Sequence, residues 1–218
     1  MAVITISRDF GSEGDNIAEK TAQTLDYHFV DKEFFSMVLS KYGMIEFDRE
    51  YDALPNFWEK FGNSRDDVMD MLNRVVRAVA QHGNVVILGR SGFEVLKEFA
   101  DIVHVRLQAP IPVRITRVMS ELKLPFEQAE KFVKENDKVH MAFVQENYKM
   151  PWDAIHAFDL VVNTGKISPD LATSWLVDAV KALRVIPDPN KPLASSIEVD
   201  NILKTTVSDA LNCKSIHN

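Results

Sequence analysis

Four short apolar runs restrict this chain more than any other feature of it. They are VITI from Val3, VVIL from Val85, IVHVRL from Ile102 and LVV from Leu160. Each is too short for a buried helix and lacks the in–out alternation of a strand with one wet face. Such runs mark strands buried on both sides, as in a parallel sheet covered by helices. The segments between them supply those helices. From Asn16 to Asp26, Ile17, Ala18, Thr21, Ala22 and Leu25 share one face. From Arg65 to His82, Val68, Met71, Leu72, Val75, Val76 and Val79 recur at helical spacing until Gly83 stops them. A short strand running into a helix fits YHFVDKEFF, Tyr27 to Phe35. Pro110 and Pro112 open another helix through Arg114 and Arg117, and further helices fit Phe126 to Lys149 and Ser168 to Leu183. Strands alternating with helices predict an α/β doubly wound sheet.

With 218 residues the chain fits one large domain, or one with an appendage. The boundary is drawn at 184. Beyond it VIPDPNKPLASS reads as a linker, and IEVDNILKTTVSDAL as a short amphipathic helix with Ile197, Leu203, Val207 and Leu211 roughly aligned. This 185–218 extension is expected to cover a groove or to make a homodimer. A net charge of −7 argues against sequence-independent nucleic-acid binding, which needs a basic surface. The single cysteine, Cys213, rules out a disulfide within the chain and zinc pairs of cysteines. The first apolar run reaches Arg8 and Asp9 too soon for a signal peptide or membrane span, so a cytoplasmic protein without membrane contact is expected.

The loop after the first strand, Arg8 to Asp15, has the layout of a phosphate-binding turn. In α/β sheets ligands sit at the carboxyl ends of strands, and anions sit on helix N-termini. Gly11 and Gly14 let backbone N–H groups approach an anion. Yet the G-x-x-x-x-G-K-[ST] spacing puts Asp9 at the first glycine, Asp15 at the lysine and Asn16 at the hydroxyl. An ordinary tight turn explains the loop as well. The glycines also lack the G-x-G-x-x-G of a dinucleotide-binding oxidoreductase.

Taken together, ISRDFGSEGDNIAEKTA, YHFVDKEFF, VVILGRSGFEVLKEFADIVHVRLQAPIPVRITRVM and FDLVVNTGKIS resemble the cytidylate kinase-like family of P-loop proteins over residues 2–183. The resemblance implies a three-layer P-loop NTPase-type fold with a five-stranded parallel sheet in the order 2-3-1-4-5. It also implies an acceptor-binding helical region near 32–82 and a lid near 118–152. The implied activity is ATP- and Mg2+-dependent phosphoryl transfer to a nucleoside monophosphate or related small molecule. Arg8, Gly11, Ser12, Gly14, Asp15 and Asn16 would then meet ATP. Arg90, Arg114, Arg117 and Asp137 would be catalytic, and Asp31, Arg90, Asp137 and His140 would meet the acceptor.

Plainer readings stand beside these. Arg90 fits a surface ion pair, Arg114 and Arg117 a solvated helix face, and Asp31 a helix N-cap. Arg74 and Arg77 read as a solvated face. Trp152 and Trp175 read as core or hinge aromatics, and Met37, Met69, Met71, Phe34 and Phe35 as packing. Where the family pattern has an Asp followed three residues later by an Arg, this chain has Asp137 and His140. Replacing a loop cation by Asp15 reverses a Coulomb interaction of roughly 4 kcal/mol at about 4 Å and an effective dielectric of about 20. Arg8 and Lys20 are the cations placed to compensate. Two readings follow: a kinase with an altered phosphate loop, or a P-loop scaffold that binds a nucleotide or partner without turnover.

Overall fold

The computed structural model describes residues 2–44, 64–151, 154–183 and 190–214. Part of the expected acceptor region (45–63), Trp152 and the start of the expected linker (185–189), with Pro187 and Pro189, lie outside the described residues. The chain alternates as the apolar runs predict. Strand β1 (Val3–Arg8) leads to α1 (Gly14–Leu25), then β2 (His28–Val30), α2 (Lys32–Ser40), α3 (Ser64–His82), β3 (Val85–Leu88) and the short α4 (Gly92–Val95). After these come β4 (Ile102–Gln108), α5 (Ile111–Leu122), α6 (Phe126–Tyr148), β5 (Leu160–Asn163), α7 (Pro169–Leu183) and α8 (Asn201–Lys214).

All strand pairs are parallel, in the order β2-β3-β1-β4-β5. Because side chains alternate along a strand, each central strand feeds two cores. Val3, Val85, Ile87 and Ile102 pack with α2, α3 and α8, while Ile4, Ile6, Val86, Leu88, Val103 and Val105 pack with α1 and α7. A small third cluster, Ile115, Val118, Ala129 and Val133, joins α5 to α6.

The C-terminal helix belongs to the first core. Asp200 Oδ1 accepts from Leu203 N at 2.9 Å and so starts α8, which buries Leu203, Val207, Ala210 and Leu211. Phe34, Phe35, Met69 and Met71 are buried, as packing residues should be. Trp175, expected in a core or hinge, is instead 42% exposed on α7. Arg74 and Arg77 form exposed ion pairs with Asp200 and Glu98. No helix among the described residues is long and apolar enough to cross a membrane.

Candidate phosphate site

The candidate site lies at the carboxyl ends of β1, β3 and β4. The loop leaves β1 with Asp9 N donating to Leu107 O (3.0 Å), turns at Gly11 (φ 76°) and enters α1 through Glu13 in the left-handed region. The first intrahelical bond is Ile17 N to Glu13 O, so the amides at the start of α1 have no partner within the helix. A side chain at Gly11 would meet the Arg114 carbonyl at 3.1 Å, so that glycine lets α5 come close. Ser12 is fully buried, and its hydroxyl donates to Asp9 O (2.7 Å), inside the loop.

Three arginines brace this loop. Arg114 on α5 is 4% exposed, which rules out a solvated face. Its two Nη atoms grip Asp137 of α6 at 2.9 and 2.8 Å, and it also donates to Ala109 O and to the loop carbonyl of Phe10. Such a fork holds a carboxylate in one geometry. One turn on, Arg117 donates to Gly11 O and to Thr164 O (2.7 Å), and lies 3.8 Å from Glu13. Thr164 Oγ1 in turn donates to Ser12 O at 2.8 Å.

The third brace, Arg106, escaped the sequence reading. Parallel register places it beside Ser7. From β4 it donates to Ser7 Oγ (2.8 Å) and Asp9 Oδ1 (2.5 Å). Burial pushes the Asp9 carboxyl above its ordinary range and the Arg106 guanidinium below its own, and each partner offsets part of the other's shift. The visible signal was a charged residue inside a run buried on both faces.

Arg8 and Arg90 come from neighbouring strands. Gly89, Arg90 and Ser91 all have positive φ (76°, 52° and 51°), a strained turn at the end of β3. This turn buries Arg90 to 3% exposure, against its reading as a surface pair. Ser7, Arg8, Arg90, Ser91, His140 and Phe143 line one cavity of about 30 Å³. His140 and Asp137 lie one turn apart on α6, so the helix offers Asp137 to Arg114 and His140 to the cavity.

Asp31 caps α2, its Oδ1 accepting from Phe34 N at 3.0 Å, and it does not line that cavity. Asp15 is 73% exposed and pairs with Arg8 at 3.3 Å. Lys20 pairs with Asp170 of α7 at 2.7 Å. Asn16 Nδ2 donates to Glu13 Oε2 at 3.2 Å, which leaves its carbonyl oxygen as a donor for a cation. Glycine-spaced amides, flanking guanidinium groups and this oxygen donor fit a magnesium-bound polyphosphate.

A model of the protein family described as the cytidylate kinase-like family matches residues 3–166. Among curated proteins, the cytidylate kinase of Haloarcula marismortui is 26% identical over 91% of this chain and 99% of its own length. That of Ignicoccus hospitalis is 28% identical over 78% of this chain and 94% of its own. Among solved structures, an uncharacterized protein from Eubacterium ventriosum superposes with a TM-score of 0.65 at 18% identity, covering 84% of this chain and 99% of that one. This last likeness establishes the fold alone.

Proposed function

This chain belongs to the cytidylate kinase-like family, and from that premise we propose that it transfers the γ-phosphoryl group of ATP to a nucleoside monophosphate or a related small acceptor. The observation that carries the reading is the convergence of Arg8 and Arg90 on one cavity, with the stem of Arg8 lying on Gly14, the first residue of α1. Phosphoryl transfer asks a protein mainly for positioning and for positive charge around the moving group. On this reading the amides opening α1 hold the donor's phosphates, and Arg90 orients the acceptor's phosphate. The braces Arg106, Arg114 and Arg117 keep the loop in shape. The Asn16 carbonyl would help to hold magnesium, which would supply further neutralisation of the phosphates. The helices α2 and α3, within 32–82, serve as the acceptor region, and the segment 118–152, which is mostly α6, as the lid.

A second reading, a scaffold that binds without turnover, draws on the size of the cleft. A cavity of about 30 Å³ is far below the roughly 300 Å³ or more of a ligand pocket. Phe143 and Val144 of α6 are core residues that close it. Calorimetric titration with Mg-ATP, followed by an ADP-release assay with CMP and other monophosphates, decides between the readings. Saturable ATP binding with acceptor-dependent ADP release supports the kinase. ATP binding without release supports a nucleotide-binding scaffold, and no ATP binding at any soluble concentration removes the kinase and leaves a scaffold that acts through a partner.

A further inference from the structure

Asp15 stands where a phosphate-loop cation is usual, and the structure shows what occupies the space over the loop instead. The aliphatic stem of Arg8 lies directly on Gly14: a Cβ there would fall 2.5 Å from Arg8 Cγ and 2.6 Å from its Cβ. The guanidinium extends to the end of β3, where a Cβ on Gly89 would fall 2.8 Å from Nη1. Gly14 at the start of α1 and Gly89 at the end of β3 thus leave a channel for one side chain. Asp15 meets Nη2 at 3.3 Å from the solvent side, with the carboxylate 73% and the arginine 26% exposed. An ion pair that open to water is weak and easily exchanged.

We infer that Arg8 is the cation of this phosphate loop, delivered by the strand rather than by the helix, and that Asp15 is its exchangeable counter-ion. In this structure Arg8 rests on Asp15. A polyphosphate carries more charge, and its oxygens suit a guanidinium fork better than one solvated carboxylate does. The guanidinium therefore passes from Asp15 to the polyphosphate, and Asp15 turns to water. No covalent bond changes. The inference deepens the kinase reading, yet it concerns polyphosphate recognition alone and stands or falls separately.

The test titrates the full-length chain with ATP, ADP, AMP and inorganic tripolyphosphate, comparing wild type with Arg8→Met, Arg8→Lys and Asp15→Asn. Arg8→Met keeps the stem over Gly14 and removes the charge. It should weaken ATP and tripolyphosphate binding about ten- to a hundredfold, in the range of a lost charge-assisted hydrogen bond. AMP binding should stay within a factor of about two, and Arg8→Lys should recover part of the loss. Asp15→Asn should leave ATP binding unchanged or tighten it a few-fold. Circular dichroism confirms that each variant is folded. An Arg8→Met chain that binds ATP like wild type overturns the inference. Equal loss of ATP and AMP, or a tenfold weakening in Asp15→Asn, overturns it as well. If tripolyphosphate binds through Arg8 while ATP does not, the kinase reading fails and the inference holds. If neither ligand binds wild type, both fall.

Discussion

The bidentate pair between Arg114 and Asp137 ties α5, α6 and the loop carbonyl of Phe10 into one unit. Breaking a buried pair by removing one partner leaves a charge without compensation, typically at about 3–5 kcal/mol. Asp137 keeps 21% exposure, which places Asp137→Ala at the low end of that range. Urea denaturation should therefore show a loss of about 3 kcal/mol. Arg114→Lys should lose almost as much, since an ammonium cannot make the fork. His104 sets a pH dependence at the same scale. Its Nδ1 lies 2.7 Å from Thr5 Oγ1, and burial lowers its pKa from 6.5. A depressed histidine pKa means that its contribution to stability is complete above 6.5 and is lost as pH falls below that value. His28, lowered by burial and by His82, acts in the same direction. Denaturation midpoints should thus fall between pH 7.5 and about 5.5 beyond what carboxylates contribute, and His104→Gln should flatten part of that slope.

Among the elements, α8 bears a load its sequence only half announced. Leu203 is 1% exposed against α2 and α3, so Leu203→Ala should cost about 2–4 kcal/mol by chemical denaturation. An unchanged midpoint would mean that α8 does not dock in solution. The strands β1, β3 and β4 were legible because a strand buried on both faces declares itself through its own residues, whereas β5 proves to be a half-buried edge strand. The partners of α8 were not legible, because its apolar positions drift off a single stripe and Ile202 stays 73% exposed. Arg106 shows the same limit. The run IVHVRL is visibly a strand, but the neighbour of its arginine depends on a register linking residues 99 apart. Helix α6 shows a third case. Its charge-rich sequence predicts a helix but not that Phe143 and Val144 enter the core, nor that Tyr148 Oη donates to Asn73 Oδ1 of α3 at 2.9 Å. Tyr148→Phe should loosen this closure, seen as faster amide exchange in the second half of α6.

At the scale of the whole molecule, chemistry-bearing groups gather along one edge of the sheet. Arg8 ends β1, Arg90 follows β3, Arg106 and Gln108 end β4, and Asn163 and Thr164 end β5. Opposite them, helices from both faces converge: α1 from one side, α6 across the top. Most of these arginines are paired with carboxylates, so an anionic ligand finds positive charge at this edge by displacing an exposed partner such as Asp15. Binding to this edge should weaken as salt is raised from about 0.05 to 0.5 M, because the arginines at its mouth are partly exposed and screened.

The insertion of Phe143 and Val144 has a consequence for any affinity measured at that edge. If the packed arrangement of α6 predominates at rest, ligand meets an open form only in the fraction of molecules where the helix has swung away. The observed dissociation constant is then the intrinsic one divided by that fraction, so one open molecule in about a hundred turns a micromolar site into one about a hundredfold weaker. Slow, weak binding by the wild-type chain would therefore report on the resting population of α6 as much as on the quality of its phosphate contacts. Tyr148→Phe should raise affinity and association rate together, leaving the dissociation rate nearly unchanged.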